Sequence, residues 1–108
     1  MKSRKVVAEI SVVPLGTGSA SVSDYVASCL DVAAASKKVK YCLTSMGTII
    51  EGTLDEVLEI TRMMHEVPFK KGAVRVVTTL KIDDRADKKL TIRGKLGSVR
   101  KKRPQVRL

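Results

Sequence analysis

The segment KVKYCLTSMGTIIEGTLDE, residues 38–56, decides the fold. Val39, Tyr41 and Leu43 alternate with Lys40, Cys42, Thr44 and Met46, the period-two pattern of a strand. Gly47 interrupts the alternation and TIIEG resumes an extended run, so residues 39–51 predict a hairpin turning at 45–48. Directly after it, Thr53 and Glu56 stand in the T-x-x-E spacing of a capping box, which starts a helix. The segment therefore reads as strand, turn, strand and helix start.

Upstream, VVAEISVV (6–13) places Val6, Ala8, Ile10 and Val12 on one side of a strand and Val7, Glu9, Ser11 and Val13 on the other. Pro14 and LGTGSAS end it. SVSDYVASCLDVAAAS (21–36) carries Val22, Val26, Cys29, Leu30 and Ala33 at helical spacing. Ser21 and Asp24 make a capping-box-like start, with Asp in place of the usual Glu or Gln, and SKK suits the C-terminus. Downstream, the helix capped by Thr53 is expected to pack through Leu54, Val57, Leu58 and Met64, widened by Ile60 or Met63, and to stop at Pro68 and KKG. AVRVVTTLKI (73–82) alternates as a strand, and Asp84 and Asp87 are expected to cap a short helix running to about Leu96, weakened by Gly94. From Arg100, RKKRPQVRL has no amphipathic pattern and reads as a mobile tail.

The order strand, helix, strand, strand, helix, strand, with right-handed connections, predicts an α+β chain of ferredoxin-like βαββαβ topology. Four antiparallel strands carry two helices on one face, and a short C-terminal helix follows. Residues 1–97 form the expected domain and 98–108 the basic tail. The uncovered face mixes Val7, Val13, Cys42, Met46 and Val77 with Glu9, Ser11, Thr44, Arg75, Thr79 and Lys81. Such a face is too apolar for solvent alone and too polar for a closed core, which predicts a homo-oligomer packed through its sheets.

With 108 residues the chain supports a single modest core, and the 3% aromatic content makes that core aliphatic. The net charge of +10 is unevenly placed. Residues 1–84 balance eleven basic against ten acidic groups, while residues 85–108 set ten basic groups against Asp87 alone. The tail is either a solvated solubility device or a contact for an acidic partner or nucleic acid. Sheet-based RNA recognition needs aromatic stacking platforms, and EISVV and VVTTLKI have none, so nucleic acid is expected only through the tail.

Catalytic patterns are missing from the sequence: it contains no GxSxG and no P-loop. His65 reads as a partly exposed helical residue rather than a ligand or acid–base group. GTGSAS (16–21) is a flexible connection or an anion cradle, and DDR (83–85) is a helix cap or a charged cluster in which Arg85 meets an acid across an interface. Cys29 and Cys42 lack metal-ligand spacing and are expected reduced and buried, with no cofactor or metal. The opening MKSRKVVAEISVVPL is interrupted by Glu9 and is not read as a signal peptide; no run reaches membrane-spanning length, and the expected location is cytoplasmic.

SMGTIIEG (45–52) is the unusual stretch, because Glu51 sits among isoleucines and glycines with Thr44, Ser45 and Thr48 nearby. Either the hairpin simply faces solvent, or a seam carboxylate awaits a donor that an N–H-bearing heterocycle supplies, with the Met46 sulfur against its ring. AEISVVPLGTGSASVSDYVA (8–27), SMGTIIEG (45–52) and RVVTTLKIDDRAD (75–87) together resemble the hallmark blocks of a small microbial thiamine-binding, YkoF-like family. The resemblance runs from about residue 5 to 96 and excludes the tail. It implies a ferredoxin-like subunit assembling into dimers and tetramers, and binding of thiamine or its hydroxymethylpyrimidine part. The matching block implicates Met46, Gly47, Thr48 and Glu51, to which the geometry of the mixed face adds Ser11 and Thr44. A non-catalytic ligand-binding domain is the expected function. The alternatives are a nucleic-acid-associated protein working through its tail, and a structural or regulatory oligomer without a ligand.

Overall fold

A computed structural model describes residues 4–18 and 22–107. The elements are β1 (Lys5–Pro14), α1 (Ser23–Ser36), β2 (Lys40–Leu43), β3 (Thr48–Thr53), α2 (Leu54–Lys70), β4 (Val76–Asp83) and α3 (Ile92–Lys102). All strand pairs are antiparallel, in the order β2-β3-β1-β4, so the chain has the ferredoxin-like fold. Register follows the sequence parity. Val6, Ala8, Ile10 and Val12 of β1, with Ile50 of β3, face Cys29 and Ala33 of α1 and Val57, Ile60 and Met64 of α2.

Helix α2 begins with the expected capping box. The Glu56 N–H donates to Thr53 Oγ1 at 3.2 Å, and the Thr53 N–H donates back to Glu56 Oε1 at 2.9 Å. That backbone donor holds the Glu56 carboxyl below its usual range. The buried face of α2 differs from the expected stripe. Val57, Ile60, Met64 and Pro68 are buried, whereas Leu54, Leu58 and Met63 are exposed on its flanks.

Pro68 does not end α2 but lies inside it, with the helix continuing to Lys70. A proline has no N–H to return to the carbonyl four residues earlier, which here is Met64. The Cys29 thiol of α1 donates to that Met64 oxygen at 3.4 Å. The helix pair thus supplies a donor where the helix itself lacks one, and burial pushes the Cys29 thiol up. Cys42, by contrast, is exposed on β2, against expectation.

Several boundaries also move. Strand β2 spans only Lys40–Leu43, exposed along its length at the sheet edge. Strand β4 starts at Val76 rather than residue 73, after the exposed Val74. Helix α1 starts at Ser23 without a side-chain cap hydrogen bond. Ser21, the expected cap, lies outside the described residues.

The largest correction concerns the C-terminal segment. Asp84 and Asp87 cap nothing. Asp84 receives two hydrogen bonds from the Arg4 guanidinium, both at 3.0 Å, and Asp87 receives two from Arg85. These guanidinium partners hold both carboxyls below their ordinary range. Arg85 therefore pairs within its own loop. The cap is Thr91, whose Oγ1 accepts the Gly94 N–H at 2.9 Å, and α3 runs on to Lys102, through the start of the expected tail.

Candidate functional site

Helix α3 lies on the sheet face opposite α1 and α2. Its seat is one row of residues across all four strands: Lys40, Glu51, Val7 and Asp83. The helix meets the two acids in that row from either side of Val7. The Ile92 N–H, at the first helical position, donates to Glu51 Oε1 at 2.8 Å, and Lys95 forms an ion pair with Asp83. A carboxylate at a helix N-terminus satisfies an otherwise unpartnered N–H and complements the helix dipole. Glu51 Oε2 lies 3.9 Å from Lys40 Nζ. Glu51 is consequently only 8% exposed, the one buried carboxylate among the described residues.

No residue of α3 is itself buried, and Leu96 and Val99 remain exposed. The helix bridges the sheet rather than sealing it, which leaves an open cavity of about 790 Å³ beside Glu51. Strand β2 lines one wall through Lys40, Tyr41 and Cys42, and α3 lines the other through Arg93, Leu96 and Arg100.

The structure distributes the expected site residues over three places. Glu51 and Ser11 share the open face, but Val7 pairs with Glu51 and Ser11 lies four residues further along β1, about 13 Å away. Thr48 pairs with Ile10 and points to the helix-covered face, where it is buried. Thr44, Met46 and Gly47 form the hairpin turn. There the Thr44 hydroxyl donates to the Gly47 carbonyl at 2.8 Å and accepts the Gly47 N–H at 3.1 Å. A Cβ at Gly47 would lie 3.1 Å from the Ile10 carbonyl, so close backbone approach explains that glycine. Met46 projects from the tip, 82% exposed. Glu51 is thus the only expected residue at the cavity.

Beyond α3, the open face continues with the Glu9–Lys81 ion pair, the Ser11–Thr79 pair and the exposed Val13–Val77 pair. His65 stands on the other side of the molecule, its Nδ1 2.6 Å from Thr78 Oγ1 and its ring edge-on to Phe69, away from the cavity.

A family model described as "Thiamine-binding protein" matches residues 8–100. The chain belongs to the thiamine-binding protein family. The UPF0045 protein YqgV of Bacillus subtilis is 45% identical over 98 residues, covering 88% of this chain and 94% of that protein. Hypothetical protein MJ1052 of Methanocaldococcus jannaschii superposes with a TM-score of 0.81 at 45% identity, over 89% of this chain and 96% of its own. A domain of unknown function, DUF77, from Bacillus cereus gives a TM-score of 0.78 at 29% identity, over 93% and 94%. For this member of the thiamine-binding family the match reaches Arg100, beyond Leu96 where the resemblance was expected to stop. The family pattern therefore includes most of α3, the element whose cavity-facing residues the sequence reading left in a short helix and a tail. The one local signal for it was Thr91 placed three residues before Gly94, a serine/threonine cap without the usual acidic partner. Among the described residues no helix is long and apolar enough to cross a membrane.

Proposed function

We infer that the protein is a non-catalytic, cytoplasmic binder of thiamine or its hydroxymethylpyrimidine moiety, working as a homo-oligomer packed through its open sheet face. The observation that carries this reading is Glu51: a buried carboxylate at an open cavity, in a chain of the thiamine-binding family. An aminopyrimidine offers an exocyclic amine as donor, and a carboxylate is the strongest neutral-pH acceptor a side chain can present to it. Leu96 supplies an apolar wall for the ring. The exposed Val13–Val77 pair, beyond the reach of α3, is the apolar surface that a second subunit would cover. Met46, exposed at the hairpin tip, would contribute to a neighbouring copy rather than to its own cavity.

Calorimetric titration of the full chain with thiamine and with hydroxymethylpyrimidine tests the ligand, and light scattering tests the assembly. Saturable binding that weakens in Glu51→Gln supports the reading. No heat from either compound at high micromolar concentration removes the ligand, and a clean monomer removes the oligomer.

A further inference from the structure

The cavity beside Glu51 carries more positive charge than an uncharged pyrimidine or a thiazolium cation calls for. Its charged lining is Lys40, Arg93 and Arg100 against Glu51 alone. Glu51 is already engaged by the Ile92 N–H and faced by Lys40. No ion pair or hydrogen bond holds the Arg93 side chain among the described residues. Arg100 spends one Nη2 on the Val106 carbonyl at 3.1 Å and keeps its other N–H groups. A cationic ligand alone would be repelled by this wall, whereas an anionic group would be drawn to it.

The spacing on α3 is equally specific. Arg93, Gly97 and Arg100 fall at i, i+4 and i+7, which places them on one helix face. Gly97 lies between the arginines and lines the cavity. A glycine inside a helix costs about 0.5–1 kcal/mol relative to alanine. The fold does not require it here, because a Cβ at Gly97 would meet nothing within 4 Å. The result is a niche flanked by two guanidinium groups, forks that match phosphate oxygens. Gly97 is five residues beyond Ile92, the contact of Glu51, or about 7.5 Å along the helix. That is the reach of a pyrimidine ring with a CH2–O–phosphate arm.

We propose that the site takes the phosphate monoester of its heterocycle, with the ring at Glu51 and the phosphate at Gly97 between Arg93 and Arg100. This rests on the thiamine-type reading above and narrows it to phosphorylated ligands. The test titrates the full chain, by calorimetry, with hydroxymethylpyrimidine, its phosphate, thiamine, thiamine monophosphate and inorganic phosphate. A phosphate ester binds at least about tenfold more tightly than its parent alcohol, and the preference shrinks as salt rises. The hydroxymethylpyrimidine ester should show the larger preference; a preference shown by thiamine monophosphate alone, whose phosphate lies beyond a second ring, would overturn the spacing assigned here. In an Arg93→Gln, Arg100→Gln double variant the preference falls to about twofold or less. Gly97→Leu, a good helix former that fills the niche, lowers the affinity for the ester while the thermal midpoint is kept or raised. If the alcohols bind as well as the esters, the inference is overturned and the thiamine-type reading stands. If neither alcohols nor esters bind, both fall. A preference for the esters that survives the double variant places the phosphate elsewhere and overturns the assignment, as does inorganic phosphate alone binding as tightly as the esters.

Discussion

Replacing Glu51 by glutamine separates the two duties assigned to that residue. The glutamine keeps a carbonyl oxygen for the Ile92 N–H, so the hydrogen bond survives in geometry and loses its charge. A bond to a charged acceptor contributes about 1.5–3 kcal/mol and a neutral one about 0.5–1.5. The lost interaction with the helix N-terminus adds about 0.3–1 kcal/mol. The partner Lys40 is largely exposed at 3.9 Å, and a pair of that kind contributes little. The sum is a loss of about 1–2 kcal/mol, borne by a helix that buries none of its residues and is tied to the sheet chiefly by Ile92–Glu51 and Lys95–Asp83. Native-state hydrogen exchange reads this locally. Amides of residues 92–102 should exchange about 5- to 30-fold faster in Glu51→Gln, while the strands of the sheet keep their protection. Lys40→Gln should leave the same amides within about twofold of wild type. Unchanged exchange of α3 in Glu51→Gln, or acceleration spread evenly over the sheet, would refute the assignment of Glu51 as the anchor of this helix.

The Cys29–Met64 contact predicts a coupling. Cys29→Ala leaves the Met64 carbonyl without its donor and should cost about 1–3 kcal/mol in denaturant unfolding. The same change should cost measurably less in a Pro68→Ala background, where the helix regains an N–H for that oxygen; additive effects would contradict the account. The capping box predicts a pH dependence. The Glu56 carboxyl is depressed in the folded state from an ordinary value of 4.5, so its contribution is present above that pH and is lost as pH falls through the lower folded value. Thr53→Ala should destabilise by about 1 kcal/mol at neutral pH, while the Glu56 titration, followed by NMR, stays below 4.5, because alanine keeps the backbone N–H that chiefly holds it down. A Glu56 titration that returned fully to 4.5 would place the cause in the Thr53 side chain instead.

The parts of the fold legible in the sequence are those in which local pattern and tertiary environment agree. Period-two alternation placed Val6, Ala8, Ile10 and Val12 on the core face, and the Thr53–Glu56 box fixed the start of α2, because neither depends on a distant partner. Where a distant group decides, the local rules misread. Pro68 ordinarily stops a helix, and it is tolerated here because the Cys29 thiol, thirty-five residues before Met64 in sequence, reaches the Met64 carbonyl that the proline leaves open. Asp84 and Asp87 are good caps in isolation, but Arg4 and Arg85 take them first. The basic run after Leu96 looks patternless because α3 buries no apolar stripe; polar anchors on Glu51 and Asp83 hold it instead. For the same reason Glu51 was recognisable as a carboxylate in need of a donor, while the donor, Ile92, was not. The parity of β3 alone would have turned Thr48 away from Glu51, since residues an odd number apart on a strand face opposite sides.

The central claim is that a heterocyclic ligand occupies the cavity between β2 and α3, beside Glu51. Titrating isotopically labelled protein with hydroxymethylpyrimidine, its phosphate and thiamine, and following the backbone amides by NMR, tests this most directly. The account predicts saturable shifts concentrated at residues 40–42, 51 and 91–100, with α1 and the outer face of α2 undisturbed. Shifts confined to the α1–α2 face, or none with any of the three compounds, would contradict it.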